Sequence, residues 1–165
     1  EGESPVALAE RLARTKAASE RVLRDFDGAS GWVIGADTVV HRGSEIFEKP
    51  VDRPDAIRIL STLSGSWHAV TTGFCVQPVL AGAFERPVVG HVTTRVRFRA
   101  LQRSEIEAYI DTQEPLDKAG AYGIQGRGGA LVAEVQGSYN NVVGLPLEAV
   151  LEALAAAGAP IERKA

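Results

Sequence analysis

The carboxylate of this sequence that is best placed to do chemistry is Asp37. The apolar run from Trp32 to Ile34 is typical of a strand buried on both faces, and the chain leaves it through Gly35, so Asp37 is expected just past its end. α/β proteins commonly carry functional side chains at the carboxyl ends of strands. A carboxylate there could hold a divalent cation or act as general base on water, but the pattern fits a turn aspartate that caps its own backbone equally well.

Three lysines could meet phosphate groups. Lys49 precedes a proline and Lys118 lies in a glycine-rich stretch, where the backbone can approach a ligand closely while the ammonium group neutralises its charge. The glycine spacing of a P-loop is absent, and each of these two lysines taken singly fits a solvated surface residue better. Lys16 follows Leu12 by four positions and Leu8 by eight, so it borders the apolar stripe of a predicted helix. It could reach inward toward a site, although a lysine whose stem covers the edge of the core is the commoner case.

Gln125 is a candidate for reading a nucleotide base, because its side-chain amide donates and accepts hydrogen bonds at once. A glutamine in a loop is otherwise unremarkable. The three histidines and the single cysteine are not spaced as metal ligands, and the sequence has no G-x-S-x-G motif that would support serine hydrolase chemistry. We therefore expect packing or surface positions for His41, His68, His91 and Cys75.

The elements that must position these side chains alternate between helices and strands. Apolar spacing, proline and glycine signals and a capping-box pattern at Ser104 define their bounds. Intermixed helices and strands with one strong antiparallel pair predict an α/β fold with a mixed, partly antiparallel sheet flanked by helices. The predicted elements are a helix from Pro5 to Phe26, a strand at Trp32–Ile34, a hairpin around Arg42–Ser44, a helix from Arg53 to Leu63, long strands at 68–79 and about 92–98, a short helix from Ser104 to Ile110, a strand at Ala130–Val135 and a helix from Pro146 to Ala157.

Length and composition are those of one soluble domain, residues 1–165, with 45% hydrophobic and 24% charged residues. The net charge of −3 makes nucleic acid and anionic membranes unexpected partners. The single cysteine excludes an intrachain disulfide framework. An acidic start and the lack of an apolar run of about 20 residues indicate a soluble protein, and the single cysteine fits a reducing compartment, so we expect a cytoplasmic protein. Five of the 17 glycines fall between positions 113 and 129, around Lys118 and Gln125.

Five segments follow one another over nearly the whole chain. They are GADTVV (35–40), KPVD (49–52), LSG through TG (63–73), DKAGAYGIQG (117–126) and GSYNNVVGLP (137–146). In this order they resemble the Maf proteins, which are nucleoside triphosphate pyrophosphatases of the inosine-triphosphatase-like fold, and such an ordered set of motifs is highly specific. Glu48 replaces the glycine common before Lys-Pro in bacterial members and is similar to the version fused to methyltransferase-like domains.

The resemblance implies hydrolysis of a triphosphate to the monophosphate and pyrophosphate, with Mg²⁺ or Mn²⁺ and in a homodimer. Thr38 and Gln125 match positions tied to base preference, and they favour the branch that acts on dTTP and UTP. The branch that acts on methylated GTP tends to carry glutamine and glutamate there. By resemblance, Asp37 is the proton acceptor near the metal, and the other polar residues of the cleft are Lys16, Lys49, Asp117 and Lys118.

One segment of the family pattern is not found in this chain. Family members begin with a strand that leads into a Ser-x-Ser-Pro-Arg-Arg loop, whose arginines and serine bind phosphate, whereas this sequence begins downstream of that loop. We expect weaker activity without it and an exposed sheet edge. A non-catalytic nucleotide-binding or regulatory module and a methylated-GTP pyrophosphatase are the alternatives.

Overall fold

The computed structural model describes residues 2–161, so the outermost positions of the predicted domain, 1 and 162–165, lie outside the described residues. Helices and strands intermix along the chain as expected, which confirms the predicted α/β class. The helices are α1 (Pro5–Ala17), α2 (Glu20–Phe26), α3 (Arg53–Leu63), α4 (Arg103–Ile110), α5 (Tyr139–Val143) and α6 (Leu147–Ala156), and the strands are β1 (Gly31–Arg42), β2 (Glu45–Phe47), β3 (Trp67–Leu80), β4 (Ala83–Phe84), β5 (Val88–Phe98) and β6 (Val132–Gln136).

The strands form one sheet in the order β2-β1-β3-β5-β6, with β4 paired to β3. Every pairing in this described sheet is antiparallel. The hairpin around Arg42–Ser44 is confirmed, since Arg42 pairs with Glu45 and Gly43 takes a positive φ of 61°. The outer edge of β1 pairs with β2 at residues 40–42, and no described strand pairs with it from Gly31 to Val39.

The predicted strand before Asp37 is longer and less buried than the sequence pattern indicates. β1 continues through Asp37, which pairs with Gly73 in the middle of the β1–β3 register rather than following the end of a strand. Trp32 and Ile34 are 39% and 44% exposed, so the expectation of burial on both faces is wrong. The reason is tertiary: β3 supplies a partner along residues 31–41, whereas the outer side of the strand stays open.

Two helix boundaries also differ from the prediction. The first helix is divided, because Ser19 adopts an extended conformation (ψ 146°) and starts α2 as its N-cap. Ala17, the last residue of α1, is fully buried against the sheet, whereas α2 has no fully buried residue. At α4 the capping residue is Gln102 rather than Ser104, since the Gln102 backbone N–H donates to the Glu105 carboxylate at 2.8 Å.

The glycine-rich stretch contains three short 3₁₀ turns rather than an irregular loop. It brings Lys118 and Gln125 back toward β1, because Gly120 packs on Val40 and its N–H donates to the Glu48 carbonyl at 3.2 Å. A Cβ on Gly120 would lie 2.7 Å from the Val40 side chain, so this approach requires glycine. The turns are Glu114–Asp117, Ala119–Ala121 and Arg127–Leu131.

Helix α1 lies directly on the sheet, and two glycines make this possible. A Cβ on Gly35 would stand 2.3 Å from the Ala13 carbonyl oxygen, and one on Gly73 would stand 2.5 Å from that of Ala9. Side chains alternate along β1, so Asp37 shares the face of Gly35 and lies under the last turn of α1. The other face of the sheet packs against α3, α4 and α6. The largest buried side chains of this layer include Phe47 and Phe98 of the strands, Ile59 and Leu60 of α3, and Val150 of α6.

Candidate active site

A cleft with a volume of about 550 Å³ opens at the free edge of β1. Asp37 and Thr38 are consecutive residues on opposite faces of the strand, and both line the cleft, which therefore wraps around that edge. All the sequence-predicted site residues except Asp117 line it, and Asp117 contacts it through Lys118. The predicted residues in the lining are Lys16, Asp37, Thr38, Lys49, Lys118 and Gln125.

Lys16 and Asp37 form an ion pair inside this cleft. The Lys16 ammonium group donates to the Asp37 carboxylate and also to the Ala36 carbonyl oxygen at 3.0 Å. The Asp37 side chain is 21% exposed and that of Lys16 is 56% exposed, so solvent and ligands can reach both. Of the two positions that its spacing allows, Lys16 takes the one that reaches the site, since its ammonium group contacts the Asp37 carboxylate.

A second charged pair, Asp117 and Lys118, lies at the end of the first 3₁₀ turn. The Lys118 ammonium group donates to the Asp117 carboxylate at 2.8 Å. This hydrogen bond and the positive charges of Lys118 and Lys49 lower the pKa of Asp117, which therefore stays ionised at neutral pH. Lys49 lines the cleft from the segment after β2. Three ammonium groups from distant parts of the chain thus face one cavity.

Glu114 lines the cleft too, and sequence reasoning missed it. Its carboxylate accepts hydrogen bonds from the Tyr109 hydroxyl (2.8 Å) and from the backbone N–H groups of Arg127 (2.9 Å) and Gly128 (3.1 Å). Burial raises the pKa of Glu114, but the hydrogen bonds and the charge of Lys118 outweigh it, so the pKa lies below its usual range. A lone glutamate among several glycines is the one local signal that could have indicated this role.

The rest of the cleft combines polar side chains with an apolar wall. Thr38 lies 2.9 Å, oxygen to oxygen, from the Thr72 hydroxyl, and the exposed side chain of Gln125 stands in the glycine-rich stretch. Between them the wall is largely apolar, which suits the faces of a nucleotide base, while the hydroxyl and the amide can bond to its edge. The apolar part of the wall comprises Val40, Val70, Tyr122, Ile124, Val142 and Val143.

The cleft fits a divalent cation only if a substrate supplies most of the ligands. Residues 2–161 contain no group of three or more His, Cys, Asp and Glu side chains that could hold a metal. The Glu114 carboxylate is already taken up by three donors, whereas Asp37 Oδ2 accepts no hydrogen bond from the described part of the chain. One carboxylate with phosphate oxygens and water is the usual environment of protein-bound Mg²⁺.

The histidines and the cysteine take packing or surface positions, as expected. His41 contacts Thr71 at 3.0 Å, His91 contacts Glu10 at 2.7 Å, and Cys75 is buried under α1. His68 is buried beside Tyr122, whose hydroxyl lies 2.9 Å from its Nε2. No helix within residues 2–161 combines the length and the apolar character needed to cross a membrane.

Comparison with known proteins gives a consistent result. The sequence matches the family described as "Maf-like protein" over residues 1–157. Relatives named "dTTP/UTP pyrophosphatase" include that of Myxococcus xanthus, 48% identical over 164 residues, which cover 99% of this chain and 79% of the relative. The relative of the same name from Symbiobacterium thermophilum is 46% identical over 159 residues, which cover 96% of this chain and 77% of the relative. That from Thermococcus kodakarensis is 49% identical over 139 residues, which cover 84% of this chain and 70% of the relative.

Proposed function

The chain belongs to the Maf family, and from this membership we propose that it hydrolyses nucleoside triphosphates, chiefly dTTP and UTP, to the monophosphate and pyrophosphate. The observation that carries the proposal is the cleft, where two carboxylates, three lysines and the side chains of Thr38 and Gln125 face one cavity. Relatives that are 44% to 49% identical are named dTTP/UTP pyrophosphatases.

The lysines bind the phosphates in this proposal. A triphosphate carries about four negative charges, whereas the protein has a net charge of −3, so the attraction must be local. Lys49 and Lys118 contact the phosphate oxygens, and Asp117 keeps the Lys118 ammonium group in place through its 2.8 Å hydrogen bond. Lys16, next to Asp37, neutralises charge that develops on the leaving group.

Asp37 activates the attacking water. Its carboxylate accepts a proton from the water, and the hydrogen bond from Lys16 fixes one carboxylate oxygen so that the other faces the ligand. A Mg²⁺ or Mn²⁺ ion would be held by Asp37, with phosphate and water oxygens as its other ligands, and when bound it neutralises phosphate charge. Every group in this scheme lines the same cavity except Asp117, which acts through Lys118.

The test of the reaction is pyrophosphate release from a panel of triphosphates, namely dTTP, UTP, CTP, GTP and methylated GTP. We expect dTTP and UTP to give the highest kcat/KM, because Thr38 and Gln125 match the pyrimidine branch. A preference for methylated GTP would overturn the assignment of the base but not that of the reaction. Calorimetric binding of a triphosphate without product would support a non-catalytic nucleotide-binding module instead.

The role of Asp37 is tested by Asp37→Asn in the same assay. Loss of one preorganised group raises the barrier by about 2–4 kcal/mol, so turnover should nearly vanish while the unfolding temperature stays close to that of the wild type. Asp25→Asn is the matched control, since Asp25 is an exposed residue of α2 away from the cleft. Wild-type activity in Asp37→Asn would refute the mechanism.

We further propose a homodimer located in the cytoplasm. The family resemblance implies the dimer, and a second copy could bury apolar side chains that are exposed on and between α5 and α6. The single cysteine, which is buried, suits a reducing compartment. The exposed apolar residues are Tyr139, Val143, Leu145, Leu147 and Leu151.

A further inference from the structure

Asn141 of α5 is a polar residue that is completely buried against the sheet. Its side-chain amide donates to the Val70 carbonyl oxygen of β3 at 2.9 Å and to the Thr94 hydroxyl of β5 at 3.0 Å. Its backbone carbonyl oxygen accepts the hydroxyl of Thr72 in β3 at 3.1 Å. One residue thus ties α5, a helix of only five residues, to two strands of the sheet.

The orientation of this amide follows from its two acceptors. Thr94 uses its single hydroxyl proton on the Ser138 carbonyl oxygen at 3.1 Å, so toward Asn141 it can only accept. The Val70 carbonyl oxygen can only accept as well, so both contacts need N–H donors, which the asparagine NH₂ group supplies. The Asn141 Oδ1 atom has no hydrogen-bond partner within residues 2–161. Because a buried acceptor without a donor lowers stability, the value of this amide lies in the geometry that it sets.

The residues that directly follow Asn141 form part of the cleft wall. Val142 and Val143 line the cleft, and so does Val70, whose carbonyl oxygen accepts from the Asn141 amide. The three lysines of the cleft belong to other elements, namely α1, the segment after β2 and the glycine-rich stretch. A displacement of α5 from β3 would therefore move apolar side chains of the wall and leave the phosphate-binding groups in place.

We propose that Asn141 is a positioning residue for the base: its amide fixes α5 at the distance from β3 at which the apolar wall contacts the nucleobase. This inference rests on the proposed function and deepens it, because it assigns binding of the base and binding of the phosphates to separate parts of the site. Asn141 itself touches no ligand, since it is completely buried. Its loss should weaken the binding of pyrimidine nucleotides alike and leave the binding of a bare phosphate chain unchanged.

The first test compares two ligands by calorimetry, inorganic triphosphate and α,β-methylene-UTP, whose α–β bridge cannot be hydrolysed. In Asn141→Ala we expect the dissociation constant of α,β-methylene-UTP to rise by about tenfold or more, and that of inorganic triphosphate to change by less than about twofold. Asn140→Ala is the matched control, since Asn140 is the preceding residue of the same helix and is exposed. Equal weakening of both ligands, or of neither, would overturn the inference.

The second test asks whether Asn141 acts through the wall. Val143→Ala shortens a cleft residue that is 41% exposed, so it should weaken binding of α,β-methylene-UTP and not that of inorganic triphosphate. In the double variant, the effect of Asn141→Ala should be smaller than in the wild-type background, because residues that act through one another are not additive. Additive effects, or a Val143→Ala protein that binds the analogue as tightly as the wild type, would overturn the inference.

Folding of the variants and the proposed function are controlled separately. If Asn141→Ala does not fold, Asn141→Ser, which keeps one donor in the buried position, replaces it, and the Val143→Ala measurement decides independently. In pyrophosphate release from UTP, the variant should raise KM and leave kcat near that of the wild type, and a fall in kcat alone would contradict the role. A protein that shows the expected binding ratios but releases no pyrophosphate would refute the proposed function and leave this inference standing.

Discussion

The contact between Lys16 and Asp37 shows how the candidate site depends on single residues. The two lie 21 positions apart, and they meet because α1 ends over the strand that carries Asp37. Lys16 also bonds to the Ala36 carbonyl oxygen, a backbone acceptor on the open edge of β1. One ammonium group thus satisfies a backbone atom and holds a carboxylate, which fixes both charges at the mouth of the cleft.

His68 is the residue whose protonation should affect stability most. Burial, aided by the positive charges of His41 and Arg42, lowers the pKa of His68 to about 4. The unfolded chain takes up this proton near pH 6.5 and the folded protein only near pH 4, so folding stability falls as the pH drops between these values. The loss amounts to about 3 kcal/mol in the limit.

Urea unfolding at pH 7, 6, 5 and 4 measures this loss. Carboxylates also titrate in the lower part of this pH range. The quantity to compare is therefore the slope of the unfolding free energy against pH, in the wild type and in His68→Gln, whose residue 68 cannot take up a proton. His91→Gln serves as the control, since His91 is exposed on β5. Equal slopes for the wild type and His68→Gln would contradict the prediction.

At the scale of elements, the glycine-rich stretch is the part of the site most sensitive to substitution. Its second half carries Gln125 and is held by Glu114, to which two of its backbone N–H groups donate. Tyr109 of α4 adds a second attachment, because its hydroxyl accepts the Gly123 N–H at 3.2 Å while donating to Glu114. The element thus takes its shape from one partly exposed carboxylate and one phenol rather than from regular secondary structure.

Glu114→Gln should loosen this stretch. The neutral amide accepts weaker hydrogen bonds than the carboxylate, so we expect kcat/KM for UTP to fall by about tenfold, with cleavage by a nonspecific protease appearing at residues 123–128. Glu152→Gln is the matched control, since Glu152 is an exposed residue of α6. Kinetics and proteolysis identical to this control would refute the role given to Glu114.

At the scale of the whole molecule, the open edge of β1 lies beside the cleft. The outer backbone groups of residues 31–39 have no strand partner among the described residues, and the side chains of Trp32 and Ile34 are exposed there. The chain covers 70% to 79% of the length of the relatives named above. We propose that the single domain is completed at this edge by an N-terminal strand and a Ser-x-Ser-Pro-Arg-Arg loop of the family type.

A chain that carries such a segment ahead of Glu1 should be the better enzyme. The loop's arginines can bind phosphate oxygens in a bidentate manner, and the added strand would pair with β1. We expect kcat/KM for UTP to rise by about tenfold or more, and a segment with both arginines replaced by alanine to give a smaller gain. Equal rates with and without the segment would mean that the loop is dispensable.

The amino-acid sequence by itself determined the local elements and the composition of the site. Periodicity and turn residues predict α3, the β1–β2 hairpin and the long β3 and β5 strands to within a few residues, because these signals act over short distances. The motifs around Asp37, Lys49, Lys118 and Gln125 also identify the family, which the comparison confirms.

Tertiary structure alone decided how these pieces meet. Asp37 lies in the middle of a strand because β3 pairs along all of residues 31–41, and Lys16 reaches it because Gly35 and Gly73 let α1 lie against the sheet. Glu114 holds the backbone N–H groups of Arg127 and Gly128, 13 and 14 positions away, and Thr38 contacts Thr72, 34 positions away. Helix and strand periodicity encodes which face of an element is buried but not what it is buried against, so these contacts could be read only from the folded chain.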